Sequence, residues 1–129
     1  MPEMGWTNEE IYLLEDRGYA FYRQGRYQEA GIIFSALVEL DPRNAYCRTA
    51  LAALCLALGN PERAVEELTF VLQENPANHG ARGRRCEAYC EMGRWEESRQ
   101  DLEILRRNGQ GRWIERLTRR LRAAGAPTH

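Results

Sequence analysis

Apolar residues return along this chain three and four places apart, in runs broken at Gly25, Asp41-Pro42, Gly59, Pro76 and Gly93. Such spacing marks amphipathic helices, and the breaks mark their ends. The first helix opens on Trp6-Thr7-Asn8-Glu9-Glu10-Ile11, where Thr7 can cap, Glu10 completes a capping box and Trp6 can staple Ile11. It is predicted to run from Asn8 to about Gln24, with Gly25 as a left-handed cap. Further helices are predicted from Tyr27 to Leu40, Ala45 to Leu58, Pro61 to Glu74, Asn78 to Met92 and Trp95 to Arg107. Asn44 caps the third, and Gly59-Asn60-Pro61 sets a stop, a cap and a first-turn proline side by side. Beyond a turn at Asn108-Gly-Gln-Gly111, the residues Ile114, Leu117, Leu121 and Ala124 form the stripe of a seventh helix whose other face is arginine. A stack of helix pairs leaves its last apolar face open, and this helix is placed to close it. Residues 123–129 are expected to fray.

The helices also keep a register of about 34 residues. Gly25, Gly59 and Gly93 share one place in it, and Ala30, Ala64 and Ser98 another. Gly18, Ala52 and Cys86 share a third. Antiparallel helices approach closely only where one of them offers no bulk, so these small residues are predicted contact points. Phe21, Phe34, Leu37, Leu51, Leu68, Val71, Tyr89, Leu102 and Leu105 fill the remaining space.

On these residues the chain resembles the tetratricopeptide repeat (TPR) proteins, with repeats at 11–44, 45–78 and 79–112 and a capping helix over about 112–124. The likeness covers about 102 of 129 residues, and the whole chain is expected to be one domain. Arg17 and Arg85 stand where the family usually has an apolar residue, and Gln110 replaces the closing proline of the third repeat. The resemblance implies an all-α, right-handed superhelical stack of helix–turn–helix repeats. Its concave groove, lined by the first helix of each pair, would hold an extended peptide or a helix.

Carried over by repeat position, the groove would be lined by Tyr12, Glu15, Tyr19, Tyr22 and Arg23, then by Tyr46, Thr49, Ala53, Leu56 and Ala57. The third repeat would add Gly80, Gly83, Arg84, Glu87, Cys90 and Glu91, leaving that end shallow and charged. Four converging tyrosines suit protein binding, since they offer broad apolar faces with few rotamers to freeze. Family members that grip the acidic tail of heat-shock chaperones use a clamp of lysine, asparagine and arginine. The matching positions here are Glu15, Tyr19, Ala50, Gly80 and Arg84, so only Arg84 fits and Glu15 would repel the carboxylate.

Within the family the chain looks most like the three-repeat bacterial chaperones of type III secretion that hold translocator proteins. The likeness lies in Tyr19-Ala-Phe-Tyr-Arg-Gln-Gly-Arg-Tyr-Gln-Glu-Ala30, Phe34-Ser-Ala-Leu37 and Leu40-Asp41. A second stretch carrying it is Arg84-Arg-Cys-Glu-Ala-Tyr-Cys-Glu-Met-Gly93, with Glu97 and Leu102.

Composition narrows the remaining options. Hydrophobic content of 43% and charged content of 29% fit a globular chain. No leader follows Met1, and the longest apolar run, from Thr49 to Leu58, is far short of a membrane span, so a cytoplasmic location is expected. All 18 basic residues are arginine. Residues 1–103 carry 11 of them against 18 acids, a net −7, whereas residues 104–129 carry 7 against Glu115 alone, a net +6. The basic patch of Arg106, Arg107, Arg112, Arg116, Arg119 and Arg120 could attract phosphates. It lacks interleaved aromatics apart from Trp113, which argues against nucleic acid and for a solvated cap face.

Cys47, Cys55, Cys86 and Cys90 offer no Cys-x-x-Cys pair and no paired histidine, so buried free thiols are expected, with no metal and no cofactor. Cys55 and Cys86 take core places in the repeat. The only histidines are His79, at a helix start, and His129, and the adjacent acids Glu66-Glu67 and Glu96-Glu97 diverge on a helix. No enzymatic activity is expected. The sequence therefore points to a non-catalytic module that binds a protein segment in its groove, in its most specific form a secretion-type chaperone. The alternative is a scaffold or self-associating adaptor acting through the convex face or the arginine-rich helix.

Overall fold

The computed structural model describes residues 5–127, which form α1 (Asn8–Arg23), α2 (Tyr27–Leu40), α3 (Ala45–Ala57), α4 (Pro61–Glu74), α5 (His79–Glu91), α6 (Trp95–Arg107) and α7 (Gly111–Ala123). Each helix packs against the next, and α7 lies on both α5 and α6. The architecture is an all-α stack of helix pairs. No helix among the described residues is long and apolar enough to cross a membrane.

Caps set the starts. Thr7 and Glu10 exchange both bonds of the capping box, at 2.8 and 3.1 Å. Asn44, Asn60 and Asn78 accept from the backbone N–H three residues on at 3.1, 3.2 and 3.0 Å, which satisfies donors that the first turn leaves free. Gly25, Gly59 and Gly93 follow the first helix of each pair with φ of 76, 79 and 71°. The seventh helix ends more firmly than expected. Ala124 caps it, the Ala126 N–H donates to the Leu121 carbonyl at 3.0 Å, and Ala126 packs on the core. Where fraying is expected from the sequence, Ala124 and Gly125 form a turn and Ala126 bonds back to the helix; Thr128 and His129 lie outside the described residues.

Ala30, Ala52, Ala64, Cys86 and Ser98 are all completely buried, and Gly18 is buried with them. A Cβ on Gly18 would stand 2.7 Å from the Phe34 ring, so α1 and α2 meet there only because glycine leaves the space. The core runs through the stack in three linked clusters. Phe34, Leu37, Leu51 and Leu54 anchor the first, Leu68, Val71 and Leu72 the second, and Leu102, Leu105, Leu117 and Leu121 the third.

A second repeating element is polar. On α3, the Arg48 guanidinium donates to Glu67 at 2.7 Å and to the Pro42 carbonyl, and lies 3.8 Å over the Phe70 ring. One repeat later Arg82 donates to Asp101 at 3.1 Å and to the Pro76 carbonyl at 3.0 Å. Arg85 adds two bonds to the same carboxylate, at 2.7 and 2.9 Å. This accounts for an arginine at an apolar repeat position, since Asp101 is only 2% exposed and needs the charge. Arg17, in the equivalent place on α1, is exposed because no helix pair precedes it in the described structure. In the first pair Leu14 and Ile33 stand where the ion pairs stand later, and both pack on the first cluster.

Ala64→Leu is expected to lower stability by about 1–3 kcal/mol, because α3 and α4 cannot part without opening the core; an unchanged melting temperature would refute the register. Asp101→Ala leaves Arg82 and Arg85 without their carboxylate and is expected to cost about 3–5 kcal/mol in urea unfolding.

Candidate functional site

The inner face of the stack is built by α1, α3 and α5, and its depth is uneven. The inner helices α3 and α5 approach closely, whereas α1 and α3 stand further apart and meet through Tyr19 and Tyr46, whose ring centroids are 5.6 Å apart. That gap holds a pocket of ≈ 180 Å³ lined by Tyr19, Tyr22, Phe34, Tyr46, Thr49, Ala50, Ala53, Leu54 and Arg84. Beside it lies a second hollow of ≈ 340 Å³, lined by Tyr12, Glu15, Asp16, Tyr19, Arg23 and Tyr46. Tyr19 and Tyr46 border both, so the two hollows lie side by side against that ring pair.

The four tyrosines are not equivalent. Tyr12 is 66% and Tyr46 49% exposed. Tyr19 stands edge-on to Phe34 at 5.6 Å, and Tyr22 lies 5.6 Å from Tyr27, so both also belong to the first core cluster. They line the depression and support it at once. The Tyr46 phenol is held protonated well above its usual range by burial of its hydroxyl, then by the neighbouring Tyr19 hydroxyl and the Glu15 carboxylate. Thr49 places a buried hydroxyl at the floor of the pocket, without a hydrogen-bond partner among the described residues.

The third-repeat end differs from the sequence expectation. Trp113, from α7, covers Gly83 so closely that a Cβ there would lie 2.4 Å from the indole. Glu87, 4% exposed, is gripped by Arg84 at 3.2 Å and Arg116 at 3.0 Å, and Arg120 pairs with Glu91 at 2.7 Å. Cys90 is buried beneath α7, its thiol facing the Arg120 carbonyl. Glu87 and Cys90 therefore do not line an open groove, and Leu56 packs against the middle cluster instead of bordering the pocket. What sequence reasoning missed is Trp113 as a groove element. Its signal was Gly83, a glycine inside α5 with no turn or cap to make, together with the lone indole of α7.

The same contacts divide the basic patch. Arg116 and Arg120 turn toward α5, Arg106 and Arg107 share Glu103 at 2.8 and 3.4 Å, and Arg119 pairs with Glu115 at 3.0 Å. Arg112 borders a separate hollow of ≈ 550 Å³ beside Trp113. The arginines are thus divided between α6 and α7 and largely met by carboxylates.

All four cysteines are free thiols. Cys47 is buried, donating to Glu15 at 3.4 Å, whereas Cys55, expected at a core place of the repeat, is only partly buried. Burial pushes the Cys47 and Cys86 thiols up to about 12, with the Glu15 carboxylate adding to the effect at Cys47. Burial also raises Cys55 and Cys90.

The tetratricopeptide repeat family model matches residues 21–69 and 56–117. The chain belongs to the tetratricopeptide repeat family. It is 30% identical over 107 residues to DnaJ homolog subfamily C member 3 of Gallus gallus, a match spanning 80% of this chain and 20% of that protein. It is 32% identical over 85 residues to the TPR repeat-containing thioredoxin TTL4 of Arabidopsis thaliana, spanning 66% of this chain and 12% of that one. The chain thus spans a small part of the curated relatives it matches. Among solved structures it is similar to PcrH from Pseudomonas aeruginosa, with a TM-score of 0.82, 20% identity and coverage of 95% and 96%. The first TPR of Spaghetti (RPAP3), bound to the HSP90 peptide SRMEEVD, gives 0.79, 23% identity and 92% of each chain. At these identities the likeness is one of fold.

A raised thiol pKa in the native state has a definite sign. The unfolded thiol ionises near ~8.5, so its contribution to stability is complete below that pH and is lost as pH climbs toward the native value of about 12. Stability is expected to fall above about pH 9, and to fall less in Cys86→Ala, measured as urea midpoints across the alkaline range.

Proposed function

We propose that this protein is a non-catalytic binding module that receives a segment of a partner protein in the depression between α1 and α3. The single observation that carries the reading is the pair of adjacent hollows that share Tyr19 and Tyr46 as lining. An extended chain could lay one side chain in the apolar pocket and the next along the tyrosine wall, whose rings are already held by packing and lose little freedom on binding. The lining Tyr12, Tyr19, Tyr22, Tyr46, Thr49, Ala53 and Arg84 would make the contacts. Because Trp113 and the Arg116–Glu87 pair close the far end, the bound segment should lie on the first two repeats.

The finer reading is a chaperone of the type III secretion kind. It is supported by the stretches from Tyr19 to Ala30 and Arg84 to Gly93, and by the fold shared with PcrH, a protein whose structure is also known with the chaperone binding region of PopD. The charges on α7 favour a cap over a phosphate-binding face, since most of its arginines already meet carboxylates within the chain.

The test avoids Tyr19 and Tyr22, whose removal would also loosen the first cluster. A segment captured by the immobilised chain and identified by mass spectrometry is titrated by calorimetry against the native protein and Ala53→Arg, which fills the pocket from its wall. Affinity is expected to fall roughly tenfold or more with helicity unchanged. Equal affinity would remove the depression from consideration as the binding site.

A further inference from the structure

The hollow beside the apolar pocket has its own chemistry, and any ligand group it takes depends on the α1–α3 depression being the binding groove. Tyr12, Glu15, Asp16 and Tyr19 share one face of α1 and meet Tyr46 of α3 around a space of ≈ 340 Å³. Glu15 is half-buried, its carboxylate steadied by the Cys47 thiol at 3.4 Å. On the neighbouring inner helix α5 the acids are neutralised: Glu87 by Arg84 and Arg116, and Glu91 by Arg120. The buried Glu67 of α4 is met in the same way by Arg48 and Arg63. Among the described residues no such ion pair reaches Glu15 or Asp16, in a chain that carries 18 arginines. Arg23 borders the same hollow, but it lies eight residues beyond Glu15, about 12 Å along the helix axis. The hollow is therefore anionic at the Glu15 end, and its walls are ring faces whose quadrupoles also favour positive charge.

We infer that this hollow is a subsite for a lysine or arginine side chain of the bound segment. The cation would lie among the Tyr12, Tyr19 and Tyr46 rings with its charge toward Glu15 and Asp16. A neighbouring apolar residue of the same segment would fill the pocket between Tyr22 and Ala53. The groove selects basic-plus-apolar segments and rejects acidic ones. The long stem of either cation suits the arrangement, since it covers ring surface while the head reaches the carboxylates.

A phage-displayed random peptide library selected on the full chain tests this. Enriched sequences should carry lysine or arginine within a few positions of a large apolar residue. With a selected, fluorescently labelled peptide, Glu15→Gln and Asp16→Asn should each weaken binding roughly three- to tenfold in anisotropy titrations. Replacing the peptide's basic residue with glutamine should cost as much, and the two losses should not add, because they remove one interaction. Selected peptides blocked by Ala53→Arg but indifferent to both carboxylate variants would overturn the subsite and leave the groove standing. If no selected peptide is sensitive to Ala53→Arg, groove and subsite fail together.

Discussion

Six places where a helix offers almost no side chain hold this molecule in its shape. Gly18, Ala52 and Cys86 on the first helices, with Ala30, Ala64 and Ser98 on their partners, let each pair close, and every one of them is buried. Dispersion falls steeply with distance, so the benefit of Phe34, Leu68 and Leu105 depends on backbones that can come near enough for those side chains to interlock. The repeat is thus a spacing rule before it is a set of interactions. A helix pair built that way presents a further apolar face to the next, and the stack grows until α7 covers the last one with Leu117 and Leu121.

The pairs are not interchangeable. The first is joined through Leu14, Ile33 and a cluster of aromatic rings, the later ones through buried arginine–carboxylate pairs anchored to a proline carbonyl. Apolar packing tolerates small shifts, whereas a guanidinium bonded to both a carboxylate and a backbone carbonyl fixes direction as well as distance. The second and third repeats also bring their inner helices α3 and α5 into contact, whereas the first and second leave a gap between α1 and α3. The depression lies between the two kinds of joint.

Rings that line such a depression also carry load. Tyr19 and Tyr22 cannot be reduced to ligand contacts, since their other faces complete the packing on Phe34 and Tyr27. This double use holds the wall in place by packing alone, and a wall so held would limit the entropy lost on any association. At the opposite end, Trp113 and the Glu87 and Glu91 pairs convert what would be groove into interior. The acidic body and the basic terminal helix, unbalanced when each is counted alone, meet there.

Helix number, order and caps were legible in the residues themselves, because the causes are local: an asparagine three places before an amide it can cap, a glycine where φ must be positive, a small residue at a fixed interval. Boundaries moved by a residue at Gln24, Leu58 and Met92, which turn out to cap their helices. The tyrosine-bearing face was legible for the same reason, since repeat position dictates direction. Contacts between segments far apart in the chain were not. The stripe of α7 announced a cap, but not that its arginines would reach Glu87 and Glu91; nothing near Arg48 or Arg82 names its carboxylate, and the burial of Cys47 ahead of Cys55 depends on how α1 and α3 pack. Local spacing determined what each helix is and which way its residues face; only the packed stack decided which of those faces remained open, because openness belongs to the distance between helices and not to any one of them.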